Sequence, residues 1–223
     1  MITRIAIKNY KALRDVHVSL GRFHVLVGPN GSGKSTLLDV LSFLRDCLNL
    51  DLREAVRRRA SSLDELTFGG KGGPIEFRVE FDLGDELPAR KGFKIAYYLA
   101  VQSDSNLGVR VLHEELHAGP GSMDVAAYRQ TTGRYKLLGK SRPDGLDQFL
   151  VERGSVGPVA VYDINPPKPD EFEFGLDNLA LAKLPPDQKR YPTAFAVRAL
   201  LAKQVSLLNF IPEVDKGEPS SLE

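Results

Sequence analysis

Residues 28–36 read Gly-Pro-Asn-Gly-Ser-Gly-Lys-Ser-Thr, and Gly28, Gly33, Lys34 and Ser35 fit the spacing G-x-x-x-x-G-K-[ST] without exception. These residue types suit one task, which is to hold a chain of phosphates. Glycines let the backbone turn tightly and approach the ligand, so successive N–H groups point inward as an anion nest. A helix starting near Gly33 adds its positive end to the same spot. Lys34 brings a point charge to the β- and γ-phosphates, and the Ser35 hydroxyl is suited to Mg²⁺. Thr36 adds a hydroxyl near the α-phosphate, while Asn30, Gly31 and Ser32 complete the loop. A chance match in a chain of this length is on the order of one in a hundred. The expected ligand is ATP with Mg²⁺.

The motif needs a strand before it and a helix after it. Phe23-His24-Val25-Leu26-Val27 runs almost continuously apolar into Gly28, which suits a central strand covered on both faces. After Lys34, Leu37, Leu41, Leu44 and Leu48 recur at three- and four-residue steps, the pattern of an amphipathic helix. Upstream, Ile2–Ile7 and Val16–Leu20 alternate as strands around an Asn9–Asp15 connection. Downstream, a second helix is expected over Leu52–Arg59, and the glycine-rich FGGKGGP (68–74) breaks it. Ile75–Phe81, Phe93–Gln102 and Gly108–His117 then read as an antiparallel meander. A hairpin about Thr132-Gly133 within Tyr128–Leu138, a short strand over Pro158–Asp163, and a Pro-rich loop over 164–175 follow. Helical spacing returns over Tyr191–Leu208, with Phe195, Ala199, Ala202 and Val205 on one side.

Three other groupings could carry chemistry. His113-Glu114-Glu115-Leu116-His117 matches H-E-x-x-H literally, but zinc binding requires both histidines one turn apart on a helix. The segment follows an alternating strand and runs into Ala-Gly-Pro-Gly, so an extended strand is expected, with His113, Glu115 and His117 on one solvated face. His17 and His24 lack ligand spacing. Arg53 with Arg57-Arg58-Arg59 is either the wet face of a helix or a patch for nucleic acid. No aromatic residues interleave with it for base stacking. Tyr97-Tyr98 reads as half core and half surface.

The phosphate loop, together with the opening IAIKNYKALRDVHVSLGRFHVLV, resembles the N-terminus of the ABC-type ATPases of the RecF, SMC and OLD group, which are AAA-type ATPases. FGGKGGPIEFRVEF, KIAYYLAV and VRVLHEELHAG are similar to the antiparallel lobe those proteins insert after the first helix. ALAKLPPDQKRYPTAFAVRALLAKQVSLLNFIPE is similar to the segment beyond it. The resemblance implies an α/β P-loop NTPase fold, a sheet around the loop and helix with an inserted antiparallel β lobe and a C-terminal helical segment. It treats 1–223 as a single, incomplete ATPase domain. Its parts are strands, loop and first helix over 1–48, helix and glycine-rich loop over 49–74, β lobe over 75–140, and strand, Pro-rich loop and helical segment over 141–223.

The resemblance also places Lys11 beside the nucleotide. It implies that hydrolysis requires a Q-loop glutamine, an LSxG signature, a Walker B strand ending Asp-Glu and a switch histidine. Val159–Asp163 ends in Asp but continues with Ile164, so the glutamate is absent, and nothing in the spacing selects Gln188 or Gln204 as the Q-loop residue. The expected protein is therefore the ATP-binding half of an ATPase that pairs with a second copy or with a C-terminal half. DNA repair or defence is the implied setting, with DNA as an open partner. The alternative is a nucleotide-dependent switch module without turnover of its own.

Composition narrows the setting. Thirty basic and twenty-nine acidic side chains give a net charge of +1, so no global field draws the chain to nucleic acid or membrane. No apolar run approaches the roughly 18–20 residues of a membrane helix. The N-terminus lacks the apolar stretch of a signal peptide. The single cysteine, Cys47, excludes an internal disulfide and sits on the expected buried face of the first helix. A cytoplasmic setting is the expectation.

Overall fold

The computed structural model describes residues 1–84, 94–119, 148–153, 159–161 and 170–204. The strands are β1 (Ile2–Tyr10), β2 (Leu13–Ser19), β3 (Ile75–Phe81), β4 (Lys94–Asp104), β5 (Gly108–Gly119), β6 (Gln148–Arg153), β7 (Val159–Val161) and β8 (Asp170–Phe172). They form one sheet in the order β2-β1-β3-β4-β5-β6-β7-β8, with every neighbour antiparallel. The helices are α1 (Lys34–Asn49), α2 (Leu52–Arg57), α3 (Ala180–Lys183) and α4 (Pro192–Ala199), which continues as a π-helical turn over Leu200–Gln204. The expected meander is present as β3, β4 and β5. The expected hairpin within Tyr128–Leu138 lies outside the described residues.

One face of the sheet is apolar because β1, β3 and β4 alternate in phase. Ile7 pairs with Phe77 and Phe77 with Leu99, while Ile5 pairs with Val79 and Val79 with Tyr97. Onto this face α1 lays Leu37, Val40, Phe43, Leu44, Cys47 and Leu48, all buried. Tyr10, Phe43 and Phe77 meet with ring centroids 5.4–5.7 Å apart, in the tilted and edge-on arrangements aromatic pairs favour. Asp51 caps α2 by accepting from the Glu54 N–H at 2.7 Å.

A β-bulge decides which residues of β5 face the helices. The β4–β5 register shifts between Ala100 and Val101, where His113 pairs with Ala100 but Val111 with Val101, so Leu112 is the extra residue. Before it, Val109 and Val111 join the apolar core. After it, Glu114, Leu116 and Ala118 occupy that face, and His113, Glu115 and His117 face the other way. The histidines lie on an extended strand, as expected. They are not solvated, and that expectation is corrected: His113, Glu115 and His117 are all buried. His113 Nε2 and a Glu115 oxygen are 3.0 Å apart, and the Tyr98 ring lies 5.3 Å from the His113 ring. Polar alternation predicts water, but here this face is covered by protein. Tyr97 is buried and Tyr98 half-buried, matching the expected division.

Four further readings are corrected. The Asn9–Asp15 connection is only the tight turn Lys11-Ala12, so β1 and β2 run longer than their alternation suggests. The 164–175 loop contains β8. On α4 the buried stripe is Ala194 and Val197, continuing to Leu200 and Leu201, instead of Phe195, Ala199 and Ala202. Both stripes are apolar, so periodicity alone does not choose the one that is buried. Phe23–Val27 is not a strand, and its side chains are exposed: Phe23 by 84%, Val25 by 66% and Val27 by 88%. A β-strand needs a partner for its N–H and C=O groups. Among the described residues no strand lies beside this segment.

Glu114 is fully buried on the apolar face. Its carboxylate accepts from the N–H groups of Ala180 at 2.5 Å and Leu181 at 2.9 Å and from the Tyr97 hydroxyl at 2.9 Å. It ties the start of α3 to the sheet. Glu114→Ala strands three buried donors and is expected to cost roughly 3 kcal/mol or more in urea unfolding. A loss below about 1 kcal/mol contradicts this account.

Candidate nucleotide-binding site

Gly31 (φ 80°) and Gly33 (φ 90°) are left-handed, the region open to glycine. A Cβ on Gly33 would come within 2.8 Å of Leu13 Cδ2, whereas one on Gly31 would meet nothing within 4 Å. Gly33 is thus demanded both by its backbone angle and by close approach of the β1–β2 turn, Gly31 by its angle alone. The Leu37 N–H donates to the Gly33 carbonyl at 2.9 Å, which starts α1 and leaves the first-turn N–H groups without helical acceptors. No side chain caps this end, and its first turn holds no acidic residue. The positive end of a 16-residue helix is therefore left uncompensated by a side chain.

Lys34 folds back across the loop. Its Nζ donates to the carbonyls of Gly28 and Pro29, both at 2.7 Å, and lies 3.4 Å from Ser32 Oγ. Neutral carbonyls are weaker partners for an ammonium than phosphate oxygens. Ser35 is exposed at the start of α1, with Asn30, Gly31 and Ser32 exposed before it and Thr36 half-buried after it. Left-handed glycines, an uncapped helix start, one cation and an exposed hydroxyl fit a magnesium-bound nucleotide. Lys34, the loop N–H groups and Ser35 are the residues that would hold it.

Asp39 on α1 lies four residues beyond Ser35 and gathers three donors. Tyr10 Oη donates at 2.8 Å and Lys11 Nζ at 2.6 Å to Oδ2, and Arg59 Nε donates at 2.8 Å to Oδ1. Arg59 also reaches Asp46 at 2.9 Å and the Ala55 carbonyl at 3.0 Å, and stacks 5.3 Å over the Phe43 ring. Burial pushes the Asp39 carboxyl up, but the bonds from Lys11, Tyr10 and Arg59 outweigh it and hold it below the ordinary 3.8. Burial lowers the Arg59 guanidinium, yet its bonds to Asp46 and Asp39 raise it on balance. The Tyr10 hydroxyl is pushed up, first by burial and then by Asp39.

Lys11, expected beside the nucleotide, therefore sits on Asp39. Three members of the arginine run have acidic partners: half-buried Arg59 bridges Asp39 and Asp46, Arg53 pairs with Asp177 at 2.8 Å, and Arg58 lies 3.7 Å from Glu54. Sequence reading missed Asp39, Asp46 and Tyr10. A signal for the first two existed, since acids seven residues apart share one helix face and invite a cation across both.

The Q-loop candidates separate by position. Asn49, at the far end of α1, donates to the Ala202 carbonyl at 2.9 Å, roughly 22 Å along the helix from Lys34. Gln204 belongs to that same π-turn and so lies far from the phosphate loop. Gln188 is exposed between α3 and α4. Asp163 lies outside the described residues. Among the described residues no cluster of three metal-ligating side chains occurs, and no helix is long and apolar enough to cross a membrane.

An α/β scaffold carrying a phosphate loop at the start of its longest helix defines a P-loop nucleotide-binding protein. The model of the AAA ATPase domain family matches residues 1–123, more than half of the chain, and the chain belongs to that family. It is 39% identical over 82 residues to the OLD nuclease of Thermus scotoductus (strain ATCC 700910 / SA-01). That match takes in 37% of this chain and 15% of the relative, so the chain spans a small part of the relative's length. Among solved structures, one described under "Structural biochemistry of ATP-driven dimerization and DNA stimulated activation of SMC ATPases" aligns at TM-score 0.36 and 19% identity. It covers 63% of this chain and 86% of that one. A likeness that low carries no argument about this chain.

Because Asp39 is held below its ordinary value, its stabilisation is present above that value and is lost as pH falls through it toward the folded one. In urea unfolding, Asp39→Asn should be less stable than wild type at neutral pH, and the gap should narrow as pH falls through 3.8. A gap that stays constant across that fall in pH contradicts the assignment.

Proposed function

We propose that this chain is the nucleotide-binding half of an AAA-type ATPase of the SMC and OLD kind, holding Mg-ATP at residues 28–36. The observation that carries the reading is Lys34, turned onto two carbonyls of its own loop beside an uncapped helix start. Bound phosphate offers that ammonium a charged partner in place of two neutral ones. Asn30, Gly31, Ser32, Gly33 and Thr36 line the same loop, and Ser35 supplies the ligand for Mg²⁺, whose chemistry is to neutralise phosphate charge. Lys11 is held on Asp39 at 2.6 Å and is not among the ligand contacts proposed here.

Holding the triphosphate and cleaving it are separate tasks. Cleavage needs a positioned water, a carboxylate to orient it and positive or dipolar groups beyond the γ-phosphate. Among the described residues no carboxylate pairs with Lys34. The exposed run Phe23–Val27 supports a role for a partner: five apolar-rich residues enter the loop with no described strand beside them. In this reading a C-terminal half supplies those neighbours together with the missing catalytic groups, and dimerisation completes the site. A DNA-directed role draws little support from the arginine run, whose members mostly pair internally.

Lys34→Ala is expected to weaken Mg-ATP binding by roughly 2–3 kcal/mol in calorimetry, the scale of one lost charge-assisted contact in a site of this kind. Equal affinity in the two proteins would sink the assignment. Residues 1–223 should turn over ATP at close to the uncatalysed rate and faster once the C-terminal half is added. Robust Lys34-dependent hydrolysis by this chain alone would show that it carries its own carboxylate, with Asp163 the first to replace.

A further inference from the structure

We propose that Asp39 is a positioning residue for the nucleotide loop, acting through the β1–β2 turn and not through contact with the ligand. The inference rests on reading residues 28–36 as a phosphate site. The backbone of the turn is unusual: within three residues, Asn9 (φ 60°) and Lys11 (φ 48°) both adopt the left-handed conformation, and neither is glycine. Such residues persist where surrounding contacts over-determine them.

Contacts hold this turn from two sides. On one side, Asn9 Nδ2 donates to the carbonyls of Gly72 at 3.1 Å and Pro74 at 3.0 Å, and Asn9 Oδ1 accepts from the Phe68 N–H at 3.0 Å. The Lys11 N–H donates to the Leu66 carbonyl at 2.8 Å. These four bonds fasten the turn to the glycine-rich segment. On the other side, beside the packing of the Tyr10 ring on Phe43, the turn's polar link to α1 is Asp39, which takes the Tyr10 hydroxyl and the Lys11 ammonium on one oxygen. The next residues, Ala12 and Leu13, carry the atoms that a Cβ on Gly33 would meet. The turn is thus a wedge held between the 66–74 segment and α1, with its tip against the last glycine of the phosphate loop.

Charge explains why Asp39 is the sensitive member. Arg59 spans Asp39 and Asp46, so neutralising Asp39 still leaves that guanidinium on a buried carboxylate. Lys11 has no second acid described beside it. An Asp39→Asn chain keeps an acceptor for Tyr10 but releases Lys11, and with it the strained turn. The Gly33 backbone then loses its backing, and the nest must be ordered by the ligand itself. Preorganisation of a site that never touches Asp39 is what would be lost.

The test uses the 223-residue chain, with Mg-ATP and magnesium pyrophosphate titrated separately by calorimetry. Asp39→Asn, verified as folded by circular dichroism, should weaken both ligands by about tenfold. In a Lys11→Met background, the same substitution should change affinity by less than about twofold, because the link is already broken. A purely structural Asp39 would lower the melting temperature and leave the folded protein's affinity unchanged. That result overturns the proposal, as does a full tenfold loss in the Lys11→Met background. Lys34→Ala separates the two levels: if it does not weaken ATP, the reading of the loop fails, and if it does while Asp39→Asn does not, this inference alone fails. Should Asp39→Asn not fold, hydrogen exchange on the wild type decides. Protection of the Lys11 amide should rise when Mg-ATP binds, and unchanged protection at residues 10–13 overturns the proposal.

Discussion

Tyr10 puts its ring in the apolar core and its hydroxyl on a carboxylate, and that double commitment locks helix α1 to the sheet. The ring meets Phe43 from the helix and Phe77 from the sheet. The hydroxyl meets Asp39, one helical turn before Phe43. Apolar packing alone is non-directional and would leave α1 free to slide or rotate by small amounts. The hydrogen bond removes that freedom, because Asp39 must face the end of β1 for the ring to be seated. Lys34 and Ser35 follow from this placement, since they begin the same helix.

Polar groups placed inside the protein serve the same end elsewhere. Glu114 reaches the apolar face only because Leu112 is bulged, and from there it holds the first N–H groups of α3. Arg59, two residues beyond the end of α2, is half-buried where it bridges two acids on α1. Each of these groups is costly to bury and is offset by partners, so each fixes one geometry instead of adding bulk stability. The helices are thereby set against the sheet by directed bonds at several points, with the aliphatic core between them.

Much of this was legible in the residue pattern, and the failures share a cause. The phosphate loop, α1, the 75–81 strand and the buried Cys47 were all readable from period and motif. Local period reports what one segment prefers. It does not report which of two apolar stripes a neighbour selects, as on α4, or whether a polar face is covered, as at His113 and Glu115. The Asp39 cluster draws on positions 10, 11, 39, 46 and 59, and only the spacing of Asp39 and Asp46 along α1 hints at it. Resemblance places Lys11 beside the nucleotide, and the structure shows it on Asp39, four residues along α1 from Ser35.

The apolar run before the loop was the clearest miss, and it bears on how the site works. Phe23–Val27 has the composition of a central strand but not the partners, and strand geometry is a property of the pair. The two ends of the phosphate loop are consequently held unequally. At Gly33 the β1–β2 turn presses within contact distance and α1 begins, so the donors of the helix start are fixed. At Gly28 the chain arrives from an exposed segment that pairs with no strand among the described residues. Ordering that segment beside another strand would fix the carbonyls of Gly28 and Pro29, which now hold the Lys34 ammonium. The exit of the loop is thus set by the turn, while among the described residues no strand pairs with its entry. In the proposed reading, that asymmetry would let the loop grip phosphate at its helix end while the alignment of Lys34 depends on what is added alongside.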